Sequence, residues 1–199
     1  AYTVPSNMVA VGNGTLKSIS SDGDKSTYEW FVKNPINNYN ISVQIGNYVA
    51  VQDTFVKDNI VHEMNHYVLD YNKELASNYF TQSKEIIRFY EKYFGDYQWY
   101  EDGYKLIEVP YLGMEHQSAV TYGNGFSIYN GERSKSWPMY GVIDPLIIHE
   151  TGHEWFGNSV TATDPTHIWI HEGLQVYSES LYFEDKFDSY EVGVHYLNT

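Results

Sequence analysis

His149 and His153 stand four residues apart, with Glu150, Thr151 and Gly152 between them. An α-helix places residues i and i+4 one turn apart on one face, whereas in a strand the same pair would be about 13 Å apart. Two imidazoles on one helix face can reach one zinc ion, and Glu150 beside them can take a proton from a water. The flanks also favour a helix. Asp144 reads as its N-cap and Pro145 as its first residue, and Leu146, Ile147 and Ile148 supply apolar surface to bury. Gly152 works the other way, by about 1 kcal/mol against alanine, so packing or a metal has to hold this segment.

The bare H-E-x-x-H pattern also arises by chance, and specificity comes from a third ligand. A zinc hydrolase of this kind needs two histidines and a carboxylate, leaving one position for water. Glu172 follows His153 after eighteen intervening residues, in His171-Glu172-Gly173-Leu174-Gln175. Leu174–Phe183 reads as a helix, and the turn-rich stretch from Thr161 to Thr166 lets the chain reverse before it. Two antiparallel helices would then present His149, His153 and Glu172 to one point. Glu179 is seven residues after Glu172 and shares its helix face. It reads either as a hydrogen-bond partner of a ligand histidine or as a solvated glutamate. His167 and His171 read as surface or supporting residues rather than ligands, and His62, His66 and His195, which lie in no motif, as structural. Two other zinc-protease patterns fit worse. Phe156 and Ser159 stand where metzincins have glycine and the third histidine, and Val176 where thermolysin usually has aspartate.

Upstream, the first fifty residues read as β structure. Val9–Val11 leads into the turn Gly12-Asn13-Gly14, Thr27–Val32 alternates as a half-buried strand, and Ser21–Asp24 reads as a hairpin turn. Ile41–Val51 reads as one long strand with a bulge at Gly46. A short strand is expected around His66–Tyr71 and one long helix from Lys73 to about Tyr93, stopped by Gly95. Tyr104–Val109 reads as a strand, and Gly113–Tyr129 as strand and loop.

Composition narrows the function classes. A net charge of −14 repels nucleic-acid phosphates. With no cysteine, disulfide and thiolate chemistry are excluded. No apolar run is long enough to span a membrane as a helix. The chain opens without a basic or apolar leader, and so reads as a mature form or the middle of a longer protein.

With these residues in view, the chain resembles the gluzincin aminopeptidases similar to aminopeptidase N and leukotriene hydrolase. Their signature is H-E-x-x-H, eighteen residues, then E. The flank His153–Thr161 resembles their H-Q-W-F-G-N-x-V-T, and Trp169–Gly173 resembles W-L-N-E-G. Tyr111-Leu112-Gly113-Met114-Glu115-His116 resembles their G-x-M-E-N motif, with His116 in place of the asparagine. The match is specific over about 111–183.

The resemblance implies an α+β fold. Residues 1–50 would be the end of an N-terminal β domain, and 51–199 the front part of a thermolysin-like catalytic domain. It implies one zinc ion held by His149, His153 and Glu172, with Glu150 as general base. The substrate would be a peptide with a free amino terminus, bound by Glu115 with Gly113 and Met114 lining the cleft. The tyrosine that stabilises the oxyanion in this family is expected beyond Thr199. The activity implied is hydrolysis of amino-terminal peptide bonds. The alternatives are an endopeptidase on the same scaffold, an inert zinc-binding fragment, or a non-catalytic binding domain. Absence of cysteine and the acidic, Tyr- and Asn-rich composition fit a secreted or periplasmic bacterial enzyme.

Overall fold

The strand signals near the amino terminus resolve into two small antiparallel sheets. Strands β1 (Tyr2–Pro5), β4 (Lys25–Phe31) and β3 (Thr15–Asp22) form one, in the order β1-β4-β3. Strands β2 (Val9–Gly12) and β5 (Val43–Gly46) form the other. The turn expected at Ser21–Asp24 joins β3 to β4, with Gly23 at φ 58°. Alternation along β4 turns Ser26 and Tyr28 inward and leaves Lys25 and Glu29 exposed. The computed structural model describes residues 1–126 and 143–198. They divide into one unit of Ala1–Thr81 with Trp99–Gly123 and a second of Gln82–Gln98 with Asn124–Thr199.

Ile41–Val51 is not one strand. It breaks after Gly46, so that β5 pairs with β2 while β6 (Tyr48–Lys57) pairs with β7 (Ile60–Leu69). The alternation that suggested a single strand is real, but pairing partners are set by residues far away in sequence. The short strand expected at His66–Tyr71 is the end of β7. That hairpin is closed by Asp58 and Asn59, both with positive φ (50° and 63°), as a tight two-residue hairpin turn requires.

A five-stranded mixed sheet runs β6-β7-β8-β10-β9, with β8 (Leu106–Glu108), β9 (Gly113–Met114) and β10 (Val120–Tyr122). Strand β8 is parallel to both β7 and β10. His66 is structural: it is buried, and its Nδ1 accepts the Leu106 backbone N–H at 3.0 Å, tying β7 to β8. Val11, Tyr48, Tyr67, Ile107 and Ala119 make one apolar cluster in this unit.

Two buried charges are stapled to backbone here. Lys105 donates to the carbonyls of Gly14 (2.7 Å) and Ser118 (2.6 Å) and lies over the Trp30 ring. Asp102 accepts from the backbone N–H groups of Lys33 (2.6 Å) and Asn34 (3.1 Å). Paired in this way, such groups escape most of the penalty of a buried charge.

The long helix expected from Lys73 is two: α1 (Lys73–Tyr79) in the first unit and α2 (Gln82–Phe94) in the second. Tyr79 and Phe80 are both fully buried, and both pack on Tyr122. Neighbouring residues on a continuous helix point about 100° apart, so burying both at one place favours a break. Helix α2 ends at Gly95 (φ 92°), the stop expected from the sequence.

The second unit adds α3 (Pro145–Gly152), a 3₁₀ turn over Pro165–Ile170, α4 (Glu172–Phe187) and α5 (Tyr190–Leu197). Helix α3 packs on α2 and α4, and α5 on α4. The class is α+β. Of the strand and loop expected over Gly113–Tyr129, residues 127–129 lie outside the described residues. No helix among the described residues is long and apolar enough to cross a membrane.

Candidate metal centre

Helix α3 starts as the sequence implied. Asp144 accepts the Leu146 backbone N–H at 2.9 Å, Pro145 is the first helical residue, and Asn124 Nδ2 donates to the same carboxylate at 3.0 Å. Leu146, Ile147 and Ile148 are buried. His149 and His153 follow one turn apart, with His153 capping the end of the helix in helical geometry.

Gly152 is explained by packing. A Cβ there would lie 2.1 Å from the Tyr90 hydroxyl and 2.2 Å from Gln175 Oε1. Those groups form a buried relay behind the helix. Gln175 Nε2 donates to the Tyr90 oxygen (2.8 Å), Tyr90 bonds Ser178 Oγ (2.8 Å), and Ser178 donates to the Gln175 carbonyl (2.6 Å). Gln175 Nε2 also reaches the Ile148 carbonyl at 3.2 Å. Burial pushes the Tyr90 phenol well above its usual range, so it stays protonated as a donor. Gly152→Ala is therefore expected to destabilise the chain despite the better helix propensity of alanine. Overpacking and strained hydrogen bonds outweigh that gain by about 2–3 kcal/mol. A thermal melt should fall by roughly 5–10 °C; an unchanged or higher Tm would contradict this account of the glycine.

The turn after α3 is anchored by aromatics. Trp155 stacks on Tyr90 (ring centroids 4.9 Å, 22°) and donates Nε1–H to the Gly95 carbonyl at 2.8 Å. Phe156 meets Phe94 edge-on at 5.1 Å. This fixes the Phe156 carbonyl, which lies 2.8 Å from His153 Nδ1.

Glu172 begins α4, and its Oε2 lies 3.6 Å from His149 Nε2 and 3.7 Å from His153 Nε2. The two Nε2 atoms are 3.1 Å apart. The donor atoms of all three residues lie within 4.8 Å of one another. His149 Nδ1 lies 2.7 Å from Glu179 Oε1. A carboxylate and a carbonyl can only accept, so they assign the Nδ1 protons to both rings. Two neutral rings would then face each other with bare Nε2 lone pairs, which repel unless a cation lies between them.

As a metal-free pair the cation is a proton. Burial by itself lowers His149, but the hydrogen bond and charge of Glu179 and the charges of Glu150 and Glu172 outweigh it and raise its pKa to about 9. Burial, and then the His149 charge, push His153 down to about 4. A metal suits the same place. Two Zn–N bonds of 2.0–2.1 Å at a tetrahedral angle put their nitrogens about 3.3–3.4 Å apart. The donor set thus fits zinc in spacing, in tautomer and in ligand type.

Glu150 is buried, with a carboxylate oxygen within 4.8 Å of a His153 ring nitrogen. Glu179 is the hydrogen-bond partner of His149 rather than a solvated glutamate. His171 is engaged elsewhere: it is buried, and its Nε2 accepts the Ala162 backbone N–H at 3.0 Å. His167 lies exposed in the 3₁₀ turn. In the first unit, Gly113 and Met114 form β9 at the edge of the mixed sheet, and Glu115 follows with its side chain buried. Burial lowers the pKa of His116 against the opposing influence of Glu115 and a backbone bond to Asn40.

The Tyr90–Gln175–Ser178 relay and Tyr196, which also bonds Glu179, were not singled out from the sequence. Gly152 was the one local sign of the relay, and nothing adjacent in sequence marks Tyr196.

Known proteins are similar to this chain in sequence and in fold. The chain is 24% identical over 191 residues to probable aminopeptidase 1 of Sulfurisphaera tokodaii, covering 94% of itself and 23% of that protein. It is 32% identical over 132 residues to endoplasmic reticulum aminopeptidase 2 of Homo sapiens, covering 62% of itself and 14% of the relative. The crystal structure of an M1 zinc metallopeptidase from Deinococcus radiodurans superposes with a TM-score of 0.74 at 20% identity, over 92% of this chain and 39% of that one. The chain thus spans less than a quarter of the length of these curated relatives. The model of the peptidase family M1 domain matches residues 78–199, which include α3, α4 and all three converging side chains, and the chain belongs to that family.

Proposed function

We propose that this chain supplies the zinc site of an aminopeptidase, with His149, His153 and Glu172 as ligands and Glu150 as general base. The observation that carries the reading is the pair of facing Nε2 atoms, each with its Nδ1 tied to an acceptor, and a carboxylate oxygen at 3.6–3.7 Å. A bound zinc ion supplies Lewis acidity, polarising a carbonyl and acidifying a water. Glu150 accepts the proton of the attacking water and delivers it to the leaving amine nitrogen. Its burial strengthens that exchange by excluding competing solvent.

Glu115 is proposed to receive the substrate's ammonium group, with the backbone of Gly113 and Met114 lining the cleft. Its support is the resemblance of Gly113–His116 to an exopeptidase motif and the burial of its carboxylate. A buried anion of this kind favours a charged amine over an acylated one. The domain boundary near residue 50 belongs to the same proposal, supported by the switch of partners between β5 and β6.

The test is made on this chain and on the longest protein that carries it. About one zinc per chain is expected by elemental analysis. Amino-acyl substrates should be cleaved and amino-blocked ones should not. Glu115→Gln should raise KM for free-amine substrates by roughly tenfold or more. Equal cleavage of blocked peptides would replace this reading with an endopeptidase. Zinc uptake without turnover in the longest form would leave a binding domain.

A further inference from the structure

We propose that Tyr196 is a positioning residue for the metal centre, acting through Glu179 on His149. The proposal rests on the reading of His149 as a zinc ligand. The Glu179 side chain is only 4% exposed. A carboxylate buried so far needs polar partners on both oxygens. Oε1 meets His149 Nδ1 at 2.7 Å, and Oε2 accepts from the Tyr196 hydroxyl. With both oxygens held, the carboxylate plane is fixed, and with it the direction of the His149 ring and of its Nε2 lone pair.

The packing of α5 brings the hydroxyl to this place. A Cβ on Gly193 would lie 2.9 Å from the Ser180 carbonyl and 3.1 Å from Glu184 Cβ, so α5 approaches α4 this closely only with glycine there. Ser180 Oγ donates to the Gly193 carbonyl at 2.8 Å and locks the approach. Tyr196 is three residues on and shares the Gly193 face. Its ring lies 4.6 Å from that of Phe183, at 35°. The relay serves one ligand only. His153 takes its orientation from the Phe156 carbonyl, on a turn held by Trp155 and Phe156.

Three readouts test this on the whole chain: zinc affinity by competition with a chromophoric chelator, the ligand-field absorption of Co²⁺ in the same site, and thermal unfolding without metal. Tyr196→Phe keeps the ring contact and removes one oxygen. It is expected to weaken zinc binding roughly three- to tenfold and to shift the cobalt bands, with the metal-free melt nearly unchanged. Glu179→Gln is expected to cost about 10–100-fold in zinc affinity. In that background Tyr196→Phe should add nothing, because its effect has to pass through the carboxylate.

A purely structural tyrosine gives the opposite pattern, a lower melt with unchanged zinc affinity and cobalt spectrum. That result, or losses that simply add, overturns the relay. If Tyr196→Phe does not fold, Glu179→Gln alone decides, and unchanged zinc affinity overturns the relay. A wild-type chain that takes up no zinc overturns both this and the metal reading. Normal uptake with an indifferent Tyr196→Phe overturns the relay alone.

Discussion

Replacing His153 with alanine is expected to abolish stoichiometric zinc binding while much of the fold persists. Structural zinc sites are worth about 10–16 kcal/mol in total, so one of three protein ligands carries several kcal/mol, or roughly 10²–10⁴ in affinity. His153 cannot be replaced from nearby. It is 1% exposed, and the neighbouring His171 is turned to the Ala162 backbone. The loss is separated from general damage by a zinc titration of the thermal melt. At zinc a hundredfold above its Kd, a site that binds only the native state adds about 2.7 kcal/mol. The wild-type Tm should rise accordingly, and that of His153→Ala should not move. A variant that still took up one zinc with near-native affinity would remove His153 from the ligand set.

Glu150→Gln should separate metal from chemistry. The amide keeps the size of the carboxylate in a buried position but cannot accept the water's proton. Zinc affinity is expected to stay within a few-fold of wild type. Hydrolysis of an amino-acyl substrate by the longest protein that carries this chain should fall by about 10²–10⁴ in kcat, the range for loss of a general base. KM should change little, because the group acts in the transition state rather than in substrate binding. A rate within threefold of wild type would assign the base elsewhere. If zinc were lost instead, Glu150 would be part of the metal shell.

Several parts of the site were legible because they are local. An N-cap, a proline at the first helical position and a four-residue histidine spacing each act within one or two turns of backbone. The structure shows them as read, with Asp144 bonded to Leu146 and the two imidazoles on one face. Gly95 as a helix stop and Gly23 in a hairpin are of the same kind. Other readings failed for the complementary reason. Apolar spacing from Lys73 to Phe94 continues across Tyr79 and Phe80, but both residues are drawn to Tyr122, more than forty positions away, and the helix breaks there. Alternation from Ile41 to Val51 continues across Gly46, but the two halves have different partner strands.

By itself, then, the sequence determined the helix carrying His149 and His153, the carboxylate that converges on them after eighteen intervening residues, and the chemistry such a set can hold. Local backbone preferences and fixed spacings are enough for that. Only the tertiary structure decided that Glu179 faces His149 rather than solvent, that Gly152 is required by Tyr90 and Gln175, and that Tyr196 closes the far side of Glu179. Two of these join residues 30 and 17 positions apart, and the other joins a glycine to side chains on other helices. Such contacts depend on which helices meet and in what register, and the apolar period of one helix marks its buried face without naming its partner.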